Sequence, residues 1–229
     1  MQKHVIIVAG GSGSRMKSAL PKQFIELCGK PILMHTIENF YRFNSEMPIV
    51  LVLPIGQFDV WQELCEQHQF AIRHTLVAGG DVRFQSVKNG LAAIKGDGLV
   101  AIHDGVRPLV SHATIARCFD AAAQYGNATP CIAVHETVRK IDNHTTEMVD
   151  RSMLRLIQTP QVFRSSLIIK AYDQSYDHSF TDDASVLERT GETIRLVEGN
   201  RENIKVTEPI DLVVAEAIMK NVTKLDVNN

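Results

Sequence analysis

Four short apolar, β-branched runs, separated by longer segments with helical spacing, restrict this chain to few architectures. The runs are HVIIVAG (4–10), PIVLVLP (48–54), IRHTLVAGG (72–80) and LVAIHDG (99–105). Between them, PILMHTIENFYRF (31–43), FDVWQELCEQHQF (58–70) and VRFQSVKNGLAAIK (82–95) repeat apolar residues every three or four positions. SHATIARCFDAAAQYG (111–126) opens on a Ser cap and stops at a Gly. Strands linked by helices of this length predict an α/β fold with a mostly parallel twisted sheet and helices on both faces. In such sheets ligands gather beyond the carboxyl ends of the strands. Those ends read Ala9-Gly10-Gly11, Gly79-Gly80-Asp81 and His103-Asp104-Gly105.

One segment breaks the rhythm. VHETVRKI (134–141) and EMVDRSML (147–154) predict two strands of a protruding β-hairpin arm turning at NHTT. An isolated ribbon is only marginally stable in water, so the arm is expected to pack on something. A second copy of the chain is the simplest partner, and folding back on its own domain is the alternative. Further on, TDDASVLERTG (181–191) predicts a Thr-capped helix closed by Gly191. ENIKVTEPIDLVVAEAIMK (202–220) predicts a short strand and a final helix with Pro209 in its first turn, and the tail 221–229 is expected to fray. No repeat or linker interrupts the chain, so a single domain over 1–229 is expected.

Composition narrows the function classes. A formal charge of −2 over 229 residues gives no general attraction to nucleic acid or an anionic membrane. Any anion site must then be local. Cys28, Cys65, Cys118 and Cys131 form no C-x-x-C pair, which argues against zinc and a disulfide framework. With no leader-like start and no apolar run near the ~20 residues of a membrane span, a cytoplasmic location is expected.

The first strand exits into AGGSGSRM (9–16), and PKQF (21–24) follows. This is a poor dinucleotide loop: Met16 stands where a third Gly belongs, and the second strand ends Leu53-Pro54 without a carboxylate. Pro21 would also interrupt a helix running on from the loop. No Lys follows a G-x-x-x-x-G as a P-loop requires, and neither H-E-x-x-H nor G-x-S-x-G occurs. What remains is a loop whose backbone N–H groups can wrap a phosphate, followed by Arg15 and Lys22. Arg grips two phosphate oxygens and Lys acts as a mobile point charge. Both on one substrate suit phosphoryl or nucleotidyl transfer. The bland readings are a tight strand-exit turn and a solvated pair of cations.

AGGSGSRM and PKQF, then GGDVRFQSVKNGL (79–91), HDGVRP (103–108), TPQVF (159–163), TDDASVLE (181–188) and EGNRENIKVTEPIDL (198–212), form an ordered set. In that order they resemble the 2-C-methyl-D-erythritol 4-phosphate cytidylyltransferases over nearly the whole chain. The resemblance implies a Rossmann-like nucleotidyltransferase fold and a homodimer clasped by the 135–155 hairpin. CTP is the implied donor, a sugar-alcohol phosphate the acceptor, and Mg²⁺ or another divalent cation the cofactor. The reaction implied is a step of the non-mevalonate route to isoprenoid precursors. The nearest rival is a ribitol-5-phosphate cytidylyltransferase, with the same donor; a non-catalytic nucleotide sensor on this fold is the rival from another class.

The resemblance also implies roles. Ala9, Gly10, Gly11 and Gly13 would admit the triphosphate, while Arg15 and Lys22 would steady the pentacoordinate α-phosphorus. Gly80, Asp81 and Ser86 match the cytosine and ribose contacts; the lesser alternative for Asp81 is a cap of the following helix. Asp104 is the expected Mg²⁺ ligand, with no second protein ligand placed. Asp104 and Arg107 face the acceptor; Thr137 and Arg151 reach it from the partner subunit; Lys205 meets the phosphates. His103 reads as a packed neighbour, Arg83 as a weaker candidate or surface residue, and Thr159 and Thr181 as residues lining the site. Three departures stand out: Gly10 for a second Ala, Gly105-Val106 for Ala-Ala, and Leu154-Arg155 for Leu-Trp.

Overall fold

A computed structural model describes residues 1–10, 20–142 and 144–226. β1 (Gln2–Val8) is followed by a one-turn 3-10 helix at Lys22–Phe24 and a short hairpin of two-residue strands, β2 (Glu26–Leu27) and β3 (Lys30–Pro31). Then come α1 (Ile32–Phe43), β4 (Ile49–Leu53), α2 (Phe58–Gln67), β5 (Thr75–Ala78), α3 (Arg83–Ala92), β6 (Gly98–Asp104) and α4 (His112–Tyr125). These elements follow the predicted alternation. α4 begins as expected, with Ser111 accepting from the Thr114 N–H, and ends at Gly126 in the left-handed region (φ 92°).

β6-β1-β4-β5 run parallel in that spatial order. Their alternation feeds two cores. Val5, Ile7, Leu51, Leu53, Leu99 and Ala101 pack on one face against Phe40 of α1, Trp61 of α2 and Phe119 of α4. Ile6, Val8, Val50, Val52, Val100 and Ile102 pack on the other against Phe84, Val87 and Leu91 of α3. Burial on both faces explains why these strands are continuous apolar runs.

The second half is mixed. β7 (Asn127–Ala133) leads into the arm, formed by β8 (Val138–Asp142) and β9 (Thr145–Val149). β10 (Arg155–Ile157) and β11 (Gln161–Arg164) then return antiparallel, and β11 inserts between β6 and β7. A ribbon rather than a crossover helix links β7 to these strands, so antiparallel pairing is available. α5 (Ser165–Ala171), α6 (Asp183–Glu188), β12 (Leu196–Glu198) and α7 (Pro209–Asp226) complete the chain, with β12 parallel to β7.

Four local expectations need correction. The second arm strand begins earlier than predicted and ends at Val149, because Asp150 accepts from the Ser152 N–H and starts a 3-10 turn. α6 is capped by Asp182 rather than Thr181, in a box closed by Ser185. Residues 202–206 form no strand; one backbone bond, Val206 N–H to Val106 O at 2.9 Å, anchors them. α7 carries on through the expected frayed tail to Asp226. No helix among the described residues is long and apolar enough to cross a membrane.

Candidate active site

Register brings the predicted strand ends together. Ala9 N–H bonds Val52 O, Gly105 N–H bonds Val8 O and Gly79 N–H bonds Leu53 O, so the exits of β1, β4, β5 and β6 lie side by side. A cleft of ≈ 320 Å³ opens there, lined by Ala9, Gly10, Lys22, Gly80, Asp81, Arg83, Ser86, Asp104 and Lys205 among others. The Gly80 turn is tied to α3 by Ser86, whose buried hydroxyl accepts from Gly80 N–H at 3.1 Å. A Cβ on Gly80 would fall 2.3 Å from Gln85 Cγ, so the turn is closed to larger residues. Val82 sits at the cap position of α3 and no side chain caps that helix, so Asp81 is not a cap. Gln23, fully buried and next in sequence to Lys22, donates to Ala9 O at 2.8 Å and so ties the 3-10 turn to the exit of β1.

Asp104 is the hub. Its Oδ2 lies 3.0 Å from Lys205 Nζ and 3.2 Å from Arg107 Nε, while Oδ1 lies 3.8 Å from Arg83 Nε. Burial pushes the Asp104 carboxyl upward, but Arg83, Lys205 and Arg107 outweigh it and hold the group well below the usual carboxylate range. It is therefore an anion at neutral pH, and an anion outnumbered by cations.

The hub is held from behind. His103, fully buried against Phe40, faces Arg107 O with Nε2 at 3.0 Å and Thr159 Oγ1 with Nδ1 at 3.0 Å. A carbonyl only accepts, so Nε2 carries the proton and Nδ1 accepts from Thr159. Thr159 Oγ1 accepts in turn from the Asp104 N–H at 3.1 Å. Burial lowers the His103 pKa to about 4, so the ring is neutral and structural, as its sequence context suggested. Asn203 donates to Thr159 O at 2.8 Å and receives Arg107 Nη1 on its own carbonyl at 2.8 Å. That pair of bonds sets the segment from which Lys205 projects.

A second cavity of ≈ 270 Å³ lies beside the first, lined by Arg107, Gln158, Thr159, Gln161, Thr181 and Asp182 among others. Arg83, Asp104 and Lys205 line both cavities. The structure thus brings together Ala9, Gly10, Lys22, Gly80, Asp81, Ser86, Asp104, Arg107 and Lys205, and adds Thr159 and Thr181 to the second cavity. Gly11, Gly13 and Arg15 fall outside the described residues. Thr137 and Arg151 lie in the arm region, exposed, and line neither cavity; Arg151 is hydrogen-bonded to His135 O. Arg83 matters more to the site than its sequence context suggests. Far from being a free surface residue, it is tied to Asp183 by two hydrogen bonds of 2.8 and 2.7 Å. Gln161, Asp182 and Asn203 were not singled out; buried polar residues in TPQVF and RENIK were the available signal.

Strand exits of a parallel sheet that meet a glycine turn and a cluster of cations define an α/β protein of the nucleotidyltransferase kind. The 2-C-methyl-D-erythritol 4-phosphate cytidylyltransferase (IspD) family profile matches residues 3–221. The chain is 54% identical over 219 residues to the enzyme of that name from Phocaeicola vulgatus, covering 96% of this chain and 100% of that protein. It is 40% identical over 222 residues to its namesake from Geobacillus thermodenitrificans, covering 96% and 97%. Its fold is similar to the crystal structure of 2-C-methyl-D-erythritol 4-phosphate cytidylyltransferase from Thermus thermophilus, with TM-score 0.78, 30% identity and coverage of 96% and 100%. It also resembles 4-diphosphocytidyl-2C-methyl-D-erythritol synthase from Anaerococcus prevotii, with TM-score 0.81, 28% identity and coverage of 96% of each chain. The chain belongs to the 2-C-methyl-D-erythritol 4-phosphate cytidylyltransferase family.

Proposed function

We propose that this protein transfers CMP from CTP to 2-C-methyl-D-erythritol 4-phosphate, yielding 4-diphosphocytidyl-2-C-methyl-D-erythritol and pyrophosphate. The observation that carries this reading is the wall of Arg83, Asp104 and Lys205 shared by two adjoining cavities. One cavity has the strand-exit glycines that suit a nucleotide, and the other has the polar side chains that suit a phosphorylated alcohol. An oxygen of the acceptor phosphate bonds to the α-phosphorus in line, and the bond from that phosphorus to the β-phosphate oxygen breaks. The acceptor is already ionised at neutral pH, so no general base is required. Alignment and neutralisation of charge supply the rate.

In this reading Ala9, Gly10, Gly11 and Gly13 present backbone to the triphosphate, and Gly80, Asp81 and Ser86 form the base and ribose pocket. Arg15 and Lys22 steady the α-phosphoryl group as negative charge builds on it. Lys205 and Arg107, fixed on Asp104, hold the acceptor phosphate. Asp104 fits a divalent cation that takes one protein oxygen and completes its shell with phosphates and water. Its Oδ2 is occupied by Lys205 and Arg107, whereas Oδ1 has, among the described residues, only Arg83, at 3.8 Å. No three His, Cys, Asp or Glu side chains converge among the described residues, so such an ion would depend on the substrate. When bound, Mg²⁺ would withdraw charge from the phosphate oxygens. The chain acts as one domain and as a homodimer, with Thr137 and Arg151 of the 135–155 arm facing the partner's acceptor cavity. Exposed Ile141 and Met148, on a ribbon that pairs with no other strand among the described residues, favour that arrangement.

The test is turnover. Purified protein with CTP and Mg²⁺ is offered 2-C-methyl-D-erythritol 4-phosphate or ribitol 5-phosphate, and pyrophosphate release and product are followed by ³¹P NMR. Turnover with the first acceptor and little with the second is expected. Preference for ribitol phosphate, or CTP binding without turnover of either, refutes the assignment.

A further inference from the structure

Arg83 is the first residue of α3 and its side chain lies between the two cavities. Its Nη1 and Nη2 both bond Asp183, a residue of zero exposure, at 2.8 and 2.7 Å. Tyr172, also buried, donates its hydroxyl to Asp183 Oδ1 at 2.6 Å. The carboxylate is fixed in turn by β11. Gln161, fully buried, accepts from the Ala184 N–H and donates to Asp182 Oδ2, each at 2.7 Å, which pins the first turn of α6. Phe84, the next residue of α3, stacks on Tyr172 at 4.7 Å. A guanidinium held end-on at both Nη atoms has little rotational freedom. Its Nε–H edge is not used by Asp183 and faces Asp104 Oδ1 at 3.8 Å, beyond hydrogen-bond distance.

We propose that Arg83 is a phosphate-binding residue of the reaction centre, aimed by Asp183 and Tyr172 so that its Nε–H edge meets the phosphates that join across the shared wall. Asp183 and Tyr172 are its positioning residues. The inference rests on the cytidylyl-transfer reading and adds to it a cation whose orientation is set before substrate arrives. The charge arrangement supports it. Around Asp104 itself three cations, Arg83, Arg107 and Lys205, face one carboxylate, and Asp183 offsets one of them from behind. A preorganised donor aimed at developing charge is worth about 10²-fold or more in rate, whereas a mobile one must be ordered during the reaction.

The test compares Arg83→Lys, Tyr172→Phe, their combination, and the double variant Arg83→Met/Asp183→Asn. Arg83→Lys keeps a charge for Asp183 but cannot bridge both its oxygens while also meeting a phosphate. The Met/Asn pair removes both buried charges together, so neither is stranded. Steady-state pyrophosphate release with CTP and 2-C-methyl-D-erythritol 4-phosphate gives kcat and both KM values, and thermal melting reports the fold. Arg83→Lys and the Met/Asn variant are expected to lose about 10²-fold in kcat, with KM for CTP within about threefold. Tyr172→Phe should lose about five- to tenfold alone and nothing further when Arg83→Lys is already present, a coupling that a purely structural role would not produce. Full kcat in either folded Arg83 variant, or additive losses with Tyr172→Phe, overturns the proposal. A wild-type protein that fails to turn over these substrates instead removes the reading beneath it.

Discussion

Lys205 Nζ lies 3.0 Å from Asp104 Oδ2, the oxygen that Arg107 Nε reaches at 3.2 Å. Two cations thus converge on one carboxylate atom, and Lys205 keeps a side chain 40% exposed toward the cleft. Lys205→Met is expected to lower kcat by about 10²-fold with the fold intact, since the residue is partly solvated. Adding Asp104→Asn should cost less than the product of the single losses, because the partners form one network. Steady-state kinetics of the two single variants and the pair measure this, and multiplicative losses would show independent groups.

His103 predicts an acid-side loss of stability. The unfolded ring takes a proton near pH 6.5 and the folded ring only near 4. Between these values the unfolded chain binds more protons, so stability falls as pH falls. The loss is absent above 6.5 and complete below 4, on the order of 3 kcal/mol for a shift of this size. Melting temperature followed from about pH 7.5 to about 4.5 tests the slope. ¹⁵N NMR at about pH 5.5 should find a neutral ring protonated at Nε2; an imidazolium signal there contradicts the assignment.

Gly10 and Gly105 should respond differently to substitution. At Gly10 a Cβ would meet Ser86 Oγ at 3.5 Å, an ordinary contact among the described residues, so Gly10→Ala should change kcat less than about threefold. At Gly105 a Cβ would stand 2.8 Å from Ala9 Cβ, 3.1 Å from Leu33 Cδ1 and 3.3 Å from Val8 O. Gly105→Ala should therefore cost about 1–3 kcal/mol and lower the melting temperature by several degrees. Differential scanning calorimetry of both variants decides it, and equal melting temperatures would show that β1 yields at no cost.

The shared-site arrangement has a distinctive signature. Lys22→Ala and Arg151→Ala should each be nearly inactive alone. When the two are mixed and allowed to exchange subunits, half of the dimers are mixed and each of those has one intact site. About a quarter of wild-type activity should return. Sedimentation equilibrium gives the dimer independently. No recovery on mixing, with exchange demonstrated, would mean that the arm serves its own chain.

The sequence was most informative where structure is local. β1, β4 and β6 are apolar on both faces, and α4 carries its cap and its stop within its own span. It was least informative where pairing is distant. β12 has three residues and β11 four, too short for periodicity to register. KVT at 205–207 alternates like a strand, yet Asn203 and Val206 tie that stretch to Thr159 and Val106 instead. In TDD each of the first two residues is a good cap; Ser185, three residues on, closes the box for Asp182, and Gln161 of β11 secures it from a distance. Arg83 shows the same limit: its partner lies 100 residues further on, and nothing near VRFQSV announces it. Glycine turns and strand-end acids, by contrast, are contiguous, and most of the cleft was legible from them.

The bond between Arg83 and Asp183 joins early and late parts of one chain, and Lys205 comes later still. A polypeptide emerging from the ribosome therefore displays the nucleotide-side glycines long before it owns the groups that would do chemistry there. Stalled chains ending before Asp183 should accordingly be inert toward CTP turnover, and competence should arrive only when synthesis is nearly finished.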